Sequence, residues 1–548
     1  MNEEEKKQKI KEIVRRLAEQ GLLASPELIE QELSRAGSPD EGFLSKKIED
    51  SARREMLVLD KTSVQIASRG RDVNWTELER VKAAKEMGKE SRAYESFVKM
   101  AESAPSEQEQ QADSCRVIVE NFEVENRSRT VQDFVDYFNA RYAMLESMLR
   151  SRQELTNIVS ISRISKKRDR EEVSLIGMVF DKSVTKNGNI ILTLEDTTGR
   201  INVLFNKGKK ELYQAAKDTV LDEVVGINGV TSDNIVFANA LIRPDIPVIE
   251  KKSSPEEGYA VFLSDLHVGS KKFLLEEFNK FLEWINGNTG NPSQREIASK
   301  VKYIFIVGDL IDGVGIYAEQ DKDLTTKDVK EQYDECAALL SKIPKHIKLI
   351  ISPGNHDAMR IAEPQPKLYD DFAESIWKLP NAILVTNPAL VNIDSSENFS
   401  GFNVLIYHGY SFDYYVSEVE SIRAKGGYDK ADLIMKFLLE RRHLAPATSS
   451  TLFIPETTKD PLVISKIPDI FVTGHIHKCS ASIYKNIVLI GGSCWQAKTE
   501  FQERVGHHPL PARVPIMNLK TREIKILNFE KQQKEEKVDG RAEQERSQ

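Results

Sequence analysis

Five short apolar runs end in the same way, and this pattern constrains the fold more than any other feature of the chain. Residues 259–263 (YAVFL) lead into Ser264-Asp265-Leu266-His267, and 303–307 (YIFIV) lead into Gly308-Asp309. Residues 347–351 (IKLII) lead through Ser352-Pro353-Gly354 into Asn355-His356-Asp357. Residues 402–407 (FNVLIY) lead into His408-Gly409, and 469–473 (DIFVT) into Gly474-His475-Ile476-His477. Runs this short, rich in β-branched and aromatic residues, suit buried strands. Helical stretches such as 273–285 and 328–343 intervene, so residues 256–530 read as alternating strands and helices.

In α/β sheets, ligands collect beyond the carboxyl ends of the strands. One such edge would bring Asp265, His267, Asp309, Asn355, His356, His408, His475 and His477 into one pocket. Five of the nine histidines in the chain lie at these run ends. Asp, Asn and His together suit a divalent metal, because imidazole favours zinc and iron while carboxylate and amide oxygens favour manganese. Seven such donors are more than one ion needs and enough for two bridged by a carboxylate. Two ions about 3.5–4 Å apart can clamp the attacking and leaving oxygens of a phosphoester. His356 is then free to protonate the leaving oxygen, with Asp357 expected to orient its ring. Gly308, Gly354, Gly409 and Gly474 sit where tight turns or close approach favour a missing side chain.

The remaining histidines carry less. His346 precedes a strand, and His507-His508 lie in a loop-like segment, so these three read as structural. His443, in Arg441-Arg442-His443-Leu444-Ala445-Pro446, is left between a structural role and contact with substrate or metal.

The 548 residues exceed one core and suggest several units. Residues 1–60 read as a small helical module and 61–127 as a partly disordered linker. A helix near 130–152 should bury Phe134, Phe138, Tyr142, Leu145 and Leu149. From 171 the period shifts to two, and several short strands with one inserted helix suggest an OB-like barrel, the unit being 128–250. Its aromatics, Phe180, Phe205 and Phe237, suit either single-strand contact or its core. Residues 531–548 read as a disordered tail.

The formal net charge of -8 argues against indiscriminate polyanion binding and leaves room for a local basic groove. Four scattered cysteines signal neither a zinc ribbon nor a disulfide framework. No signal-peptide core or membrane span is evident.

The ordered set D-x-H, G-D, G-N-H-D, H-G, G-H-x-H resembles the calcineurin-like metallophosphoesterases over about 258–530. That resemblance implies a two-sheet β-sandwich flanked by helices. It implies metal ligands at Asp265, His267, Asp309, Asn355, His408, His475 and His477, a bridging role for Asp309, and His356 as catalytic acid. With the barrel, the segments FLSDLHVGS, GDLIDGVGIY, PGNHDAMR, YHGYSFD, RRHLAP and TGHIHK resemble the small subunits of archaeal family-D DNA polymerases (archaeal DNA polymerase II) over about 130–530. This second resemblance implies a 3′-to-5′ proofreading exonuclease acting on single-stranded or mispaired DNA ends. It implies two divalent ions, manganese first, with magnesium, iron and zinc also compatible. It implies a large catalytic subunit as partner, a sliding clamp reached through that subunit, no membrane, and a cytoplasmic, nucleoid-associated place in an archaeal cell. Two competitors stay open. A catalytically silent scaffold within the polymerase explains the barrel but not the retained donors. A stand-alone metallophosphatase explains the net acidity but neither the barrel nor RRHLAP.

Overall fold

The computed structural model describes residues 116–530, apart from 123–126, 165–168, 233 and 505–507, together with two paired dipeptides, Leu23–Ala24 and Val58–Leu59. The expected N-terminal helical module, most of the linker and the C-terminal tail lie outside the described residues.

Strand β1 (Val117–Asn121) and helix α1 (Val131–Arg150) come first. Strands β2 (Glu172–Val184), β3 (Ile190–Asp196), β4 (Gly199–Phe205), β5 (Val224–Ser232) and β6 (Ile235–Ile242) close into a barrel in the order β2-β3-β4-β6-β5. Helix α2 (Lys210–Lys217) connects β4 to β5 in the chain. Alternation along the strands points Leu175, Leu192, Leu194, Val203, Phe205 and Ile227 into the interior. Phe205 is therefore core. Phe180 and Phe237 are 47% and 44% exposed, and the Arg200 guanidinium lies over the Phe180 ring at 3.4 Å.

The five apolar runs form strands, but two sheets share them. One sheet has the order β10-β9-β8-β7-β16-β17, from β7 (Tyr259–Leu263), β8 (Val301–Val307), β9 (Lys348–Ser352), β10 (Ala382–Leu384), β16 (Arg513–Asn518) and β17 (Ile524–Asn528). The other has the order β14-β15-β13-β12-β11-β1, from β11 (Ala389–Ile393), β12 (Phe402–Ile406), β13 (Ile470–Thr473), β14 (Ser480–Tyr484) and β15 (Ile487–Gly491). The sheets face each other across a core that includes Phe262, Phe305, Val404 and Val472. The outer face of the first sheet packs on helices through Phe278, Phe281 and Ile304. That of the second packs on helices through Leu405, Phe471, Ile434 and Leu438. A strand covered on both faces must be apolar throughout, which is why these runs show no alternation. β7, β8 and β9 are parallel to one another, as are β12 and β13, so their carboxyl ends gather at one edge of each sheet.

Two expectations need correction. Residues 117–121, assigned to the linker, form an edge strand antiparallel to β11. Alternating Val117, Val119 and Asn121 with exposed neighbours is the pattern of a half-buried strand. On α1, Tyr142, Leu145 and Leu149 are buried as expected, but Phe134 is 41% exposed and Tyr137 and Arg141 are buried in its stead. The helix has two partners, which rotates the buried stripe along it. Its second half meets the barrel, where the Tyr142 hydroxyl donates to the Ile176 carbonyl (3.2 Å). Its first half meets the two-sheet domain, where Tyr137 stacks on Phe453 at 4.8 Å. No helix among the described residues is long and apolar enough to cross a membrane.

Candidate metal centre

The strand ends project their polar side chains through strained backbone. Asp265, His267, Asp309, His475 and His477 all have positive φ, between 52° and 70°. Non-glycine residues take this conformation at a cost of about 1–3 kcal/mol each, and such residues cluster at functional sites. The glycines make room. A Cβ at Gly308, whose own φ is 77°, would collide with the His408 ring, and one at Gly354 with the Asp309 carboxylate.

The seven expected donors meet in two groups joined by Asp309. In the first, His267 Nε2 and His477 Nε2 are 3.1 Å apart. His477 Nε2 lies 3.4 Å from Asp265 Oδ1, and His267 Nε2 lies 3.9 Å from Asp309 Oδ2. In the second, Asn355 Oδ1 is 3.0 Å from both His408 Nε2 and His475 Nδ1, and His408 Nε2 is 3.3 Å from the same Asp309 Oδ2. All but Asn355 and His475 are buried.

The outward faces of these rings are held. His408 Nδ1 donates to the Val307 carbonyl (3.0 Å). His475 Nε2 donates to Asp413 (3.0 Å), His477 Nδ1 accepts from the Gln502 amide N–H (3.0 Å), and His267 Nδ1 lies 3.2 Å from Asp312 Oδ1 without hydrogen-bond geometry. Carboxylate and carbonyl partners like those of His408 and His475 fix tautomer and orientation in metal-binding histidines.

The donor chemistry fits a cation. With Nδ1 committed to a carbonyl, a neutral His408 turns its Nε2 lone pair toward the oxygens of Asn355 and Asp309. Only positive charge relieves that convergence. Burial works against a charged His408, yet Asp309 pushes its pKa up to about 10. Burial likewise works to raise the carboxyls of Asp265 and Asp309, but the neighbouring imidazoles hold both below the usual carboxylate range. The adjoining cavity, about 350 Å³, is lined by Asp309, Asp312 and Asp413, and no lysine or arginine is among the described residues that line it.

His356 stands beside the first group, its ring 4.7 Å from that of His267. Its backbone N–H donates to Asp309 Oδ1 (2.8 Å), and its Nδ1–H to the Asp312 carbonyl (2.8 Å). Nε2 is therefore the atom left to exchange a proton. Burial lowers its pKa, against the pull of Asp309.

Asp357 does not orient that ring. Its carboxylate turns under the loop, where it accepts from the N–H groups of Asp309 (3.0 Å) and Gly354 (2.8 Å) and from the Tyr333 hydroxyl (3.1 Å). Three donors under one tight turn outcompete a single imidazole. Burial, then the charge of Asp309, pushes its pKa up to about 7. The residue that does support His356 is Asp312, which the strand-end pattern did not single out. It is fully buried, anchored by the amides of Gln496 (2.8 Å) and Gln320 (3.1 Å), and touches both His267 and His356. The available signal was a second acid three residues after Asp309, still at the strand end.

The other histidines stay apart. His346 and His508 are exposed, and His507 lies outside the described residues. His443 does not line the cavity. It is buried, with Nε2 donating to Asp460 (2.8 Å), and Asp460 also accepts from Arg141 Nε (2.6 Å).

Residues 260–482 match the family model for the B-subunit of DNA polymerases alpha and epsilon, and 173–234 match the OB-fold nucleic acid binding domain. The DNA polymerase II small subunit of Methanothermobacter thermautotrophicus is 39% identical over 408 residues, covering 74% of this chain and 81% of that protein. The chain belongs to the DNA polymerase II small-subunit family. The family member of Pyrococcus furiosus is also 39% identical, over 73% of this chain and 64% of its own length. That of Halobacterium salinarum is 35% identical, over 73% and 75%. A DNA polymerase II small subunit therefore combines, in this chain, a closed five-stranded barrel with a two-sheet domain whose strand ends gather the donor cluster.

Proposed function

We propose that the chain is a calcineurin-like phosphoesterase acting as a 3′-to-5′ exonuclease on single-stranded or mispaired DNA ends, within a polymerase whose large subunit carries synthesis. The observation that supports this most is the meeting of seven donor side chains around one carboxylate, Asp309, with His356 beside them. Asp265, His267, Asp309 and His477 would hold one divalent ion, and Asp309, Asn355, His408 and His475 a second, manganese being the first choice for this mixed oxygen and imidazole set. Bound there, the ions supply charge neutralisation at the phosphodiester and acidify the attacking water. His356, fixed through Nδ1, delivers a proton from Nε2 to the departing 3′ oxygen. Asp312 is a positioning residue for His356 and His267, and Asp357 keeps the turn that carries Asn355 and His356.

The relatives' designation as small subunits supports a larger catalytic partner. The barrel supports nucleic-acid contact through Phe237 and the Arg200-capped Phe180, since exposed rings are stacking platforms for bases. The test is incubation of the full-length protein with manganese and a 3′-labelled single strand. Release of terminal nucleotides is expected. Phosphomonoester cleavage without nucleotide release would replace this reading with a metallophosphatase, and no activity at all would leave a scaffold. His356→Ala should lower kcat by roughly 10²-fold or more while manganese still binds.

A further inference from the structure

The loop after β8 carries apolar side chains that no core uses. Val314 and Ile316 are 46% and 39% exposed, and Ile316 and Tyr317 line the cavity beside the donor cluster. Two exposed apolar residues are ordinary by themselves. What sets these apart is the rigidity of their frame.

Gly313 and Gly315 take φ of 74° and 79°, which raises the chain into a tight crest. The Gly313 N–H donates to Gln332 Oε1 (2.9 Å), and Gln332 Nε2 donates back to the Gly313 carbonyl (3.2 Å). The Ile316 N–H donates to Gln320 Oε1 (2.9 Å), while Gln320 Nε2 donates to the Asp312 carbonyl (2.9 Å). The Tyr317 hydroxyl donates to Asp323 (3.1 Å). Two buried glutamines thus pin a crest whose apolar tips point to water, at the rim of the cavity. Its root is Asp312, whose carbonyl also receives the His356 Nδ1–H.

None of the described residues that line the cavity is lysine or arginine, and beside the hydrogen-bonding groups of Gln496, Thr499 and Gln502 the cavity offers a nucleotide the apolar and aromatic surface of Ile316 and Tyr317. We propose that residues 313–317 form a platform on which the unpaired terminal base of a DNA strand stacks while its phosphodiester lies at the donor cluster. This rests on the nuclease reading. It gives that reading a source of selectivity, because a base still paired and stacked in a duplex must leave its partner before it can use the platform.

The test compares the full-length protein with a Val314→Ser/Ile316→Ser variant in manganese, on a single-stranded oligodeoxynucleotide and on duplexes with matched or mismatched 3′ ends. Both side chains are exposed, so the variant should fold, as thermal melting and manganese titration calorimetry will check. KM for the single strand should rise roughly tenfold, the size expected for losing one base-stacking contact, with kcat changing far less. The preference for mismatched over matched ends should shrink. An unchanged KM and preference overturn the platform and leave the nuclease standing. An unchanged KM with loss of binding to the polymerase large subunit overturns it too, and makes the crest a protein contact. Wild-type protein that cleaves neither DNA nor bis-p-nitrophenyl phosphate removes both readings.

Discussion

Among the described residues histidine and aspartate are buried together twice, and the two groupings differ in how their valences close. In the network beneath α1, donors and acceptors match. Asp460 accepts from Arg141 Nε (2.6 Å), His443 Nε2 (2.8 Å) and the Leu462 N–H (2.9 Å). Arg141 also donates to the Tyr137 hydroxyl (2.8 Å) and the Pro446 carbonyl (3.2 Å), and His443 Nδ1 accepts from the Ala445 N–H (2.9 Å). Around Asp309 the oxygens of Asp265, Asp309 and Asn355 instead converge with the ring nitrogens of four histidines, five of the seven residues being on backbone at positive φ. A closed network stabilises a fold, whereas a convergent one leaves room for a ligand. Residue type alone does not separate them.

The sharpest way to break this comparison is to remove the centre of each. Asp309→Ala should reduce the proposed nuclease activity by at least about 10³-fold, the scale of losing charge stabilisation in an active site. Thermal melting without metal should change little. Arg141→Ala should do the reverse. It leaves Asp460 buried without its partner and should cost about 3–5 kcal/mol of stability in denaturant titration, with nuclease activity per folded molecule retained. If the two variants behaved alike, the distinction would fall.

Asp312→Asn lies between the two. It keeps the shape but loses the charge beside His267, so manganese affinity should drop about 10–100-fold by calorimetry. The alkaline limb of the rate profile should move to lower pH as well, because the proton donor His356 loses a neighbouring negative charge; an unmoved profile would reduce Asp312 to packing. The smallest effect concerns pH. Burial, then the charge of Arg141, lowers His443 to about 4 from an ordinary 6.5. The unfolded chain therefore takes up a proton first. This group's stabilisation is complete above about 6.5 and is lost as pH falls toward 4. His443→Gln should flatten that part of the stability profile, measured in parallel denaturant titrations.

Much of the site was legible because it is local. Each donor follows an apolar run by a few residues, and the period of those runs is readable without knowing what they pair with. The barrel was legible for the same reason, through alternation and turn residues. The helical stripe of α1 was misread at Phe134 because apolar periodicity cannot register an arginine that becomes buried by pairing with a carboxylate 319 residues away. Asp357 was misassigned because adjacency in sequence suggested a partner that the turn points elsewhere. The strand at 117–121 was missed because five residues beside a polar stretch gain strand character only from β11.

By itself, the sequence determined the strands, the order of donors at their ends and the resemblance those donors carry, because these depend on residue identity and short-range spacing. The tertiary structure alone decided that two sheets share the five strands, that Asp312 rather than Asp357 holds His356, and that His443 belongs to a closed ion pair rather than to the cavity. Those outcomes depend on which distant donors and acceptors are buried side by side, and in a low-dielectric interior that pairing sets whether a charged group braces the fold or waits for a ligand.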